Sequence, residues 1–153
     1  MNNAPHFSPE LPSYAVYDLL SGDPREGAAT VSVLGDLAAM AIAGDGPLVR
    51  LQTACVPGEA RARAAMPADC DCGPQLDAAR QQIIEQGAGV LFYIYQDYGH
   101  NRADEREYGQ CARFLLHYNV SRVRLLTNNP RKVEALEHAG LIVKHEPLVV
   151  RRG

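Results

Sequence analysis

The hydrophobic pattern of the chain changes character after its first third. Before that point the apolar residues fall in four short segments: Tyr14–Leu20, Ala28–Gly35, Ala38–Ala43 and Pro47–Cys55. Glycine and aspartate separate the last three of them, as expected for hairpin turns. This part therefore predicts an antiparallel β unit that places Cys55 at the end of a strand.

Farther along, helical and extended patterns alternate. Apolar residues repeat at helical spacing between Pro74 and Gln86, and Gly89–Tyr95 is a nearly all-apolar strand. The later elements predicted are a helix over 104–118, a strand over 120–127, a helix from Pro130 to His138 with Asn129 as its N-cap, and a strand over 141–145. This alternation predicts an α/β fold, a mixed sheet with antiparallel N-terminal hairpins and helices on its faces.

Length and composition predict one domain, residues 15–150, preceded by a flexible arm over residues 1–14. The chain has 153 residues, 46% of them hydrophobic, and a net charge of -3. This charge gives no general attraction to nucleic acid or to anionic membranes. The apolar runs are too short to cross a bilayer, and the first residues lack the pattern of a signal peptide. We therefore expect a cytoplasmic protein with neither nucleic acid nor membrane as a partner.

Three of the four cysteines lie close together in the sequence, at Cys55, Cys70 and Cys72. Thiolates suit a borderline-soft ion such as Zn²⁺, and three protein ligands with a fourth position open are the arrangement of a catalytic zinc site. A disulfide between two of them, or three unrelated buried thiols, are the alternatives. The Cys-x-Cys spacing is poor for a mutual disulfide, which favours the metal.

Three polar segments follow predicted strands: residues 55–73, 96–106 and 127–132. In open α/β sheets, ligands bind where loops leave the carboxyl ends of the strands. The sequence therefore predicts that these segments form one site.

Two stretches carry a resemblance to a known family. Cys-Asp-Cys-Gly-Pro-Gln-Leu-Asp-Ala-Ala-Arg, residues 70–80, and Leu-Leu-Thr-Asn-Asn-Pro-Arg-Lys-Val, residues 125–133, resemble GTP cyclohydrolase II, the zinc enzyme that opens riboflavin synthesis. The resemblance spans about Thr30 to Val150. It implies the fold of that family, a homodimer, and a hydrolysis in which zinc-activated water attacks C8 of guanine. Formate and pyrophosphate are the family's small products.

The motifs that match the family imply which residues of this sequence form its site. The resemblance implies zinc ligands at Cys55, Cys70 and Cys72, a proton-accepting Asp104, and Arg106 acting at the α-phosphate. It implies substrate contacts at these positions: Arg50, Gln75, Asp97, His100, Thr127 and Lys132. Glu59 stands where the family has an Asp that helps to hold magnesium, so Mg²⁺ with the substrate phosphates is a second expected ion.

The sequence also departs from the family pattern. The Gly-Ile-Gly-Leu stretch, the helix after it and its Tyr, which usually precede the Asp/Arg pair, are missing before Ala103. This loss predicts weaker contacts to the usual nucleotide. It keeps two alternatives open: a zinc hydrolase of the same family that acts on a different nucleotide or heterocycle in a specialised pathway, and a non-catalytic zinc-containing nucleotide-binding module. In the second case His100 would be a fourth metal ligand.

Overall fold

The computed structural model describes residues 14–20, 28–53, 72–95 and 105–150. Within these ranges the chain forms one sheet with helices on both faces. The strands are β1 (Tyr14–Leu20), β2 (Ala28–Leu34), β3 (Leu48–Thr53), β4 (Gly89–Tyr95), β5 (Arg122–Leu126) and β6 (Ile142–Glu146). The helices are α1 (Leu37–Ile42), α2 (Cys72–Gln86), α3 (Glu105–His117) and α4 (Pro130–His138).

The sheet has the strand order β1-β2-β4-β3-β5-β6 and is mixed. β1 pairs antiparallel with β2, and β2 pairs antiparallel with β4. The remaining pairs, β4 with β3, β3 with β5 and β5 with β6, are parallel. The predicted fold class is therefore confirmed, and four parallel strands end at one edge of the sheet, which we call the carboxyl edge.

Two hydrophobic clusters lie on opposite faces of the sheet. The larger one joins Val49, Phe92 and Leu125 of the central strands to α1, α3 and α4. The smaller one joins Leu48 and Leu126 to α2 and to the segment after β6. Because β3 is covered on both faces, all six of its residues are buried, the polar Arg50, Gln52 and Thr53 included. Central parallel strands covered by helices on each side show this pattern.

The predicted strand over Ala38–Ala43 is wrong, because these residues belong to helix α1. The Asp36 side chain, expected in a hairpin turn, instead caps this helix and accepts a hydrogen bond from the Ala38 backbone N–H at 3.0 Å. The predicted antiparallel unit is also wrong for β3, because β3 is parallel to both of its neighbours. A six-residue helix is too short to display helical periodicity, so its apolar residues imitate a strand.

The other elements agree with the sequence reading to within two residues. β4 spans Gly89–Tyr95 as predicted, and α2 begins at Cys72, two residues earlier than expected. Helix α4 begins at Pro130 with Asn129 as its N-cap, and the Asn129 side chain accepts from the Arg131 N–H at 3.0 Å. None of the helices in the described part of the chain is long and apolar enough to span a membrane.

The turn into β3 requires glycine at position 46. Its φ is +87°, and a Cβ there would lie 1.7 Å from the Arg122 carbonyl oxygen. Backbone atoms of β5 cannot move aside without breaking the sheet. We expect Gly46→Ala to lower the free energy of unfolding by more than about 2 kcal/mol, measured by urea denaturation.

Gly44 is the matched control for the clash, because its φ is also positive, +29°, but a Cβ at this position meets nothing within 4 Å. We expect Gly44→Ala to cost about 1–2 kcal/mol from backbone strain alone, clearly less than Gly46→Ala. Equal losses in the two variants would contradict the close approach of Gly46 to β5.

Candidate functional site

Three of the parallel strands end side by side at the carboxyl edge. β3 ends at Thr53, β4 at Tyr95 and β5 at Leu126, and β3 lies between the other two. Each strand is followed by a helix that returns toward the opposite edge, so α2, α3 and α4 begin near the carboxyl edge. The N-terminal end of a helix carries a partial positive charge, which favours anions. That the three segments form one site stays a prediction.

Arg50 of β3 lies at the centre of a polar cluster behind this edge. Its side chain is only 3% exposed. The guanidinium donates from Nε and Nη2 to Gln52 Oε1, at 3.0 and 2.9 Å, and from Nη1 to the Leu126 carbonyl at 3.0 Å. Nη2 also donates to Gln75 Oε1 at 3.3 Å. The fork of a guanidinium holds several acceptors in one plane, so Arg50 fixes their relative positions.

These contacts tie together three parts of the chain that carry predicted site residues. Gln75 lies in the first turn of α2, three residues after Cys72, which begins the helix. Arg50 lies five residues before Cys55, and Leu126 directly precedes Thr127. The Arg50 cluster therefore fixes the start of α2 against the ends of β3 and β5.

The Thr127-Asn128-Asn129 turn is held by its own side chains. Thr127, 1% exposed, accepts a hydrogen bond through Oγ1 from the Asn129 N–H at 2.9 Å. Asn128 donates to the Leu148 carbonyl at 3.2 Å and accepts from the Leu148 N–H at 3.3 Å. Asn129 caps α4. These three residues shape the start of α4, and the role of Thr127 as a substrate contact stays a prediction.

Lys132 and His145 complete the described contacts at this edge. Lys132, on α4, donates from Nζ to the Leu51 carbonyl of β3 at 3.0 Å and is partly exposed. His145 Nε2 is hydrogen-bonded to the Thr127 carbonyl. No role is predicted for His145 from the sequence, and the structure places it beside the turn. A cation at Lys132 and the start of α4 together create a positive region.

Thr53 ends β3 with a buried polar atom. The residue is 6% exposed, and within the described residues its Oγ1 has no hydrogen-bond partner. Buried hydroxyls in native proteins are almost always hydrogen-bonded to protein or to ordered water, so the Thr53 hydroxyl is available for a hydrogen bond to water or to a ligand. Thr53 lies two residues before Cys55.

Other predicted site residues lie outside the described ranges: Cys55, Glu59, Cys70, Asp97, His100 and Asp104. For Cys72 and Arg106 the structure gives the backbone, at the first residue of α2 and in the first turn of α3. Among the described residues no group of three His, Cys, Asp or Glu side chains could hold a metal ion. The fourth cysteine, Cys111, is buried in the larger hydrophobic cluster.

Sequence reasoning missed Gln52, the main acceptor for Arg50. A signal was present, because Arg50 and Gln52 interrupt an apolar strand two positions apart and so point to the same face. Two polar residues on one face of a buried strand must bond to each other or to neighbouring elements. That pattern indicates a polar cluster even without a structure.

Comparison with known proteins decides the family. A family model described as GTP cyclohydrolase II matches residues 23–102 and 97–147. The chain belongs to the GTP cyclohydrolase II family. Several similar curated proteins are named GTP cyclohydrolase-2. The one from Klebsiella pneumoniae is 38% identical over 140 residues, covering 72% of this chain and 68% of the relative. One from Acinetobacter baumannii is 37% identical over 133 residues, covering 69% and 64%. One from Escherichia coli is 38% identical over 133 residues, covering 69% and 66%.

This GTP cyclohydrolase II family member is shortened inside the matched region. The two family matches overlap at residues 97–102, where the sequence lacks the family's Gly-Ile-Gly-Leu stretch. The Klebsiella alignment is 140 positions long but uses 72% of 153 residues, about 110. The Klebsiella relative therefore has roughly thirty residues within the aligned region that have no counterpart in this chain. By family and by the names of its relatives, the chain is a GTP cyclohydrolase II-like enzyme.

The Gln52 contact can be tested by stability. Gln52→Leu keeps the size of the side chain but removes the acceptor for two N–H groups of a buried cation. Because a hydrogen bond to a charged group contributes about 1.5–3 kcal/mol, we expect the free energy of unfolding to fall by about 3 kcal/mol in urea.

Gln81→Leu is the control, since Gln81 is exposed on α2 and its side chain donates to Glu85 at 3.2 Å on the helix surface. This change should cost less than about 0.5 kcal/mol. A Gln52→Leu variant as stable as Gln81→Leu would show that Arg50 does not depend on Gln52.

Proposed function

We propose that the protein is a zinc-dependent cyclohydrolase that opens the purine ring of a guanine nucleotide, with GTP as the substrate class. Formate is the expected product, and pyrophosphate is a second product if the triphosphate is also cleaved. The observation that carries the proposal is the Arg50 cluster at the carboxyl edge. It holds the strand leading to Cys55 against the helix that begins at Cys72 and beside the turn that begins at Thr127.

The donor set fits zinc. Cys55, Cys70 and Cys72 would supply three thiolates, the ligand type that this ion prefers. The Arg50–Gln75 hydrogen bond supports the fit, because it keeps the start of α2 close to the end of β3. When bound, zinc would supply the Lewis acidity that makes water a strong nucleophile at neutral pH.

Residues of the chain itself would bind the phosphates. α3 and α4 both begin at the carboxyl edge, with Arg106 in the first turn of one and Lys132 in the first turn of the other. Guanidinium binds a phosphate in a fork, and an ammonium binds it as a compact charge. Glu59 would take part in holding Mg²⁺, which commonly accompanies nucleotide phosphates.

Proton transfer would fall to Asp104. This residue directly precedes Glu105 in the sequence, the first residue of α3, and we place the start of α3 near the edge where β4 ends. A carboxylate within hydrogen-bond reach of the attacking water can accept its proton and later return it to a nitrogen of the opening ring. Thr53 would offer its buried hydroxyl as a further hydrogen-bonding group beside the site.

Other parts of the proposal do not rest on the structure. A homodimer and a relation to riboflavin synthesis are carried over from the resemblance, and a cytoplasmic location stays an expectation from the sequence. Asp97 and His100 belong to the shortened segment, and their assignment as substrate contacts rests on position in the sequence.

The activity is tested by incubating zinc-loaded protein with a panel of purine and pyrimidine nucleotides. We expect GTP to lose its purine absorbance and to release formate. Turnover of a different nucleotide would instead identify a relative with a changed substrate. No formate from any nucleotide, with zinc occupancy confirmed by mass spectrometry, would leave a non-catalytic zinc module.

The zinc ligands are tested by metal content. Cys72→Ala removes one of three thiolates, so we expect the purified protein to retain much less than one zinc per chain and to lose formate release. Cys111→Ala is the matched control, because Cys111 is buried among apolar residues of α3 and its neighbours. The two variants should differ clearly in zinc measured by plasma mass spectrometry, and equal zinc content would exclude Cys72 as a ligand.

The general base is tested with Asp104→Asn, which keeps the size of the side chain and removes its basicity. We expect kcat to fall by about 10²–10⁴-fold, because that is the usual contribution of a positioned acid or base. KM and the zinc content should stay near the wild-type values. A kcat within threefold of wild type would assign proton transfer to another group.

A further inference from the structure

Tyr95 is a large aromatic residue left exposed at the carboxyl edge. It is the last residue of β4 and is 48% exposed. Tyr93 lies on the same face, because side chains two apart in a strand point the same way. Their rings meet nearly edge to face, with centroids 5.3 Å apart and an angle of 74°. We call this pair the aromatic shelf.

The shelf is held in place before any ligand arrives. The Tyr95 hydroxyl is hydrogen-bonded to Thr30 Oγ1 of β2 at 2.9 Å, which fixes the far end of the ring. Tyr93 supports the ring from the side. A ring already held in one position loses little conformational entropy when a flat partner stacks on it.

The shelf and the Arg50 cluster share one face of the sheet. Tyr93 is paired in register with Gln52 of β3 on one side and with Thr30 of β2 on the other. Gln52 is the residue that holds the Arg50 guanidinium. The polar cluster and the exposed ring therefore lie on adjacent strands at the edge where the site is expected.

We propose that the aromatic shelf binds the heterocyclic base of the substrate by stacking on Tyr95. This inference rests on the proposed function and deepens it, because it names the residue that selects a flat base. A ring system stacks on an aromatic side chain whatever its hydrogen-bonding pattern. The shelf thereby offers contact area to a chain that lacks the internal segment present in its relatives.

Equilibrium binding to the zinc-loaded, full-length chain tests the shelf, with GTP and inorganic tripolyphosphate as separate probes in calorimetry. We expect Tyr95→Ala to raise the Kd for GTP about tenfold and to leave the Kd for tripolyphosphate unchanged, because only GTP has a base to stack. Tyr95→Phe keeps the ring and should bind GTP within about threefold of wild type.

Tyr14→Ala is the matched control. Tyr14 is 53% exposed, but it begins β1 and is paired with Leu34, at the edge opposite the site. It should bind both probes as wild type does. Circular dichroism and urea denaturation check that the Tyr95 variants are folded.

Several results would contradict the proposal that the base stacks on Tyr95. One is a Tyr95→Ala variant that binds GTP like wild type, and another is an equal loss of GTP and tripolyphosphate binding. A change in molecular mass by light scattering, with GTP binding intact, would show that Tyr95 is instead a contact between two copies of the chain. Wild-type protein that binds GTP through Tyr95 yet releases no formate would support the shelf and contradict the cyclohydrolase proposal.

Discussion

The hydrogen bonds of the buried Arg50 guanidinium are the interaction on which the candidate site depends. Burying a cation is costly unless its donors are satisfied, and here Gln52, Gln75 and the Leu126 carbonyl accept from it. Each acceptor belongs to a different element, β3, α2 or the end of β5. The hydrogen bonds of the Arg50 side chain therefore set the relative positions of three elements. Those elements lead to the cysteines and to the Thr127 turn.

Under the proposed function, two different kinds of binding group lie along the carboxyl edge. Toward β5, the N-terminus of α4 and Lys132 create a positive region suited to phosphates. Toward β4, Tyr95 and Tyr93 create an apolar surface suited to a flat ring. A nucleotide has the same two chemical ends, an anionic one and an aromatic one. The buried strand β3 lies between the aromatic side chains on β4 and the positive region at the end of β5.

Much of this could be predicted from sequence, for identifiable reasons. Both ends of β4 agree with the prediction, because a short apolar run between glycine and polar residues is typical of a buried strand. Asn129-Pro130 predicted the start of α4 because capping is a local interaction. The prediction failed at α1, where six residues carry too little periodicity, and at the direction of β3, which depends on partners far away. It also missed Gln52, although two polar residues on one face of an apolar strand were a signal for the Arg50–Gln52 hydrogen bond.

The pairing of β3 has a consequence for the order of folding. β1 and β2 form a hairpin from residues close in sequence, whereas Arg50 reaches Leu126 across 76 positions. Contacts of such separation require a large loop to close first and are characteristic of slow steps. During synthesis the hairpin can form early, but the central strand cannot gain its second neighbour until β5 has emerged. The edge that would hold the metal and the nucleotide is therefore a late product of folding.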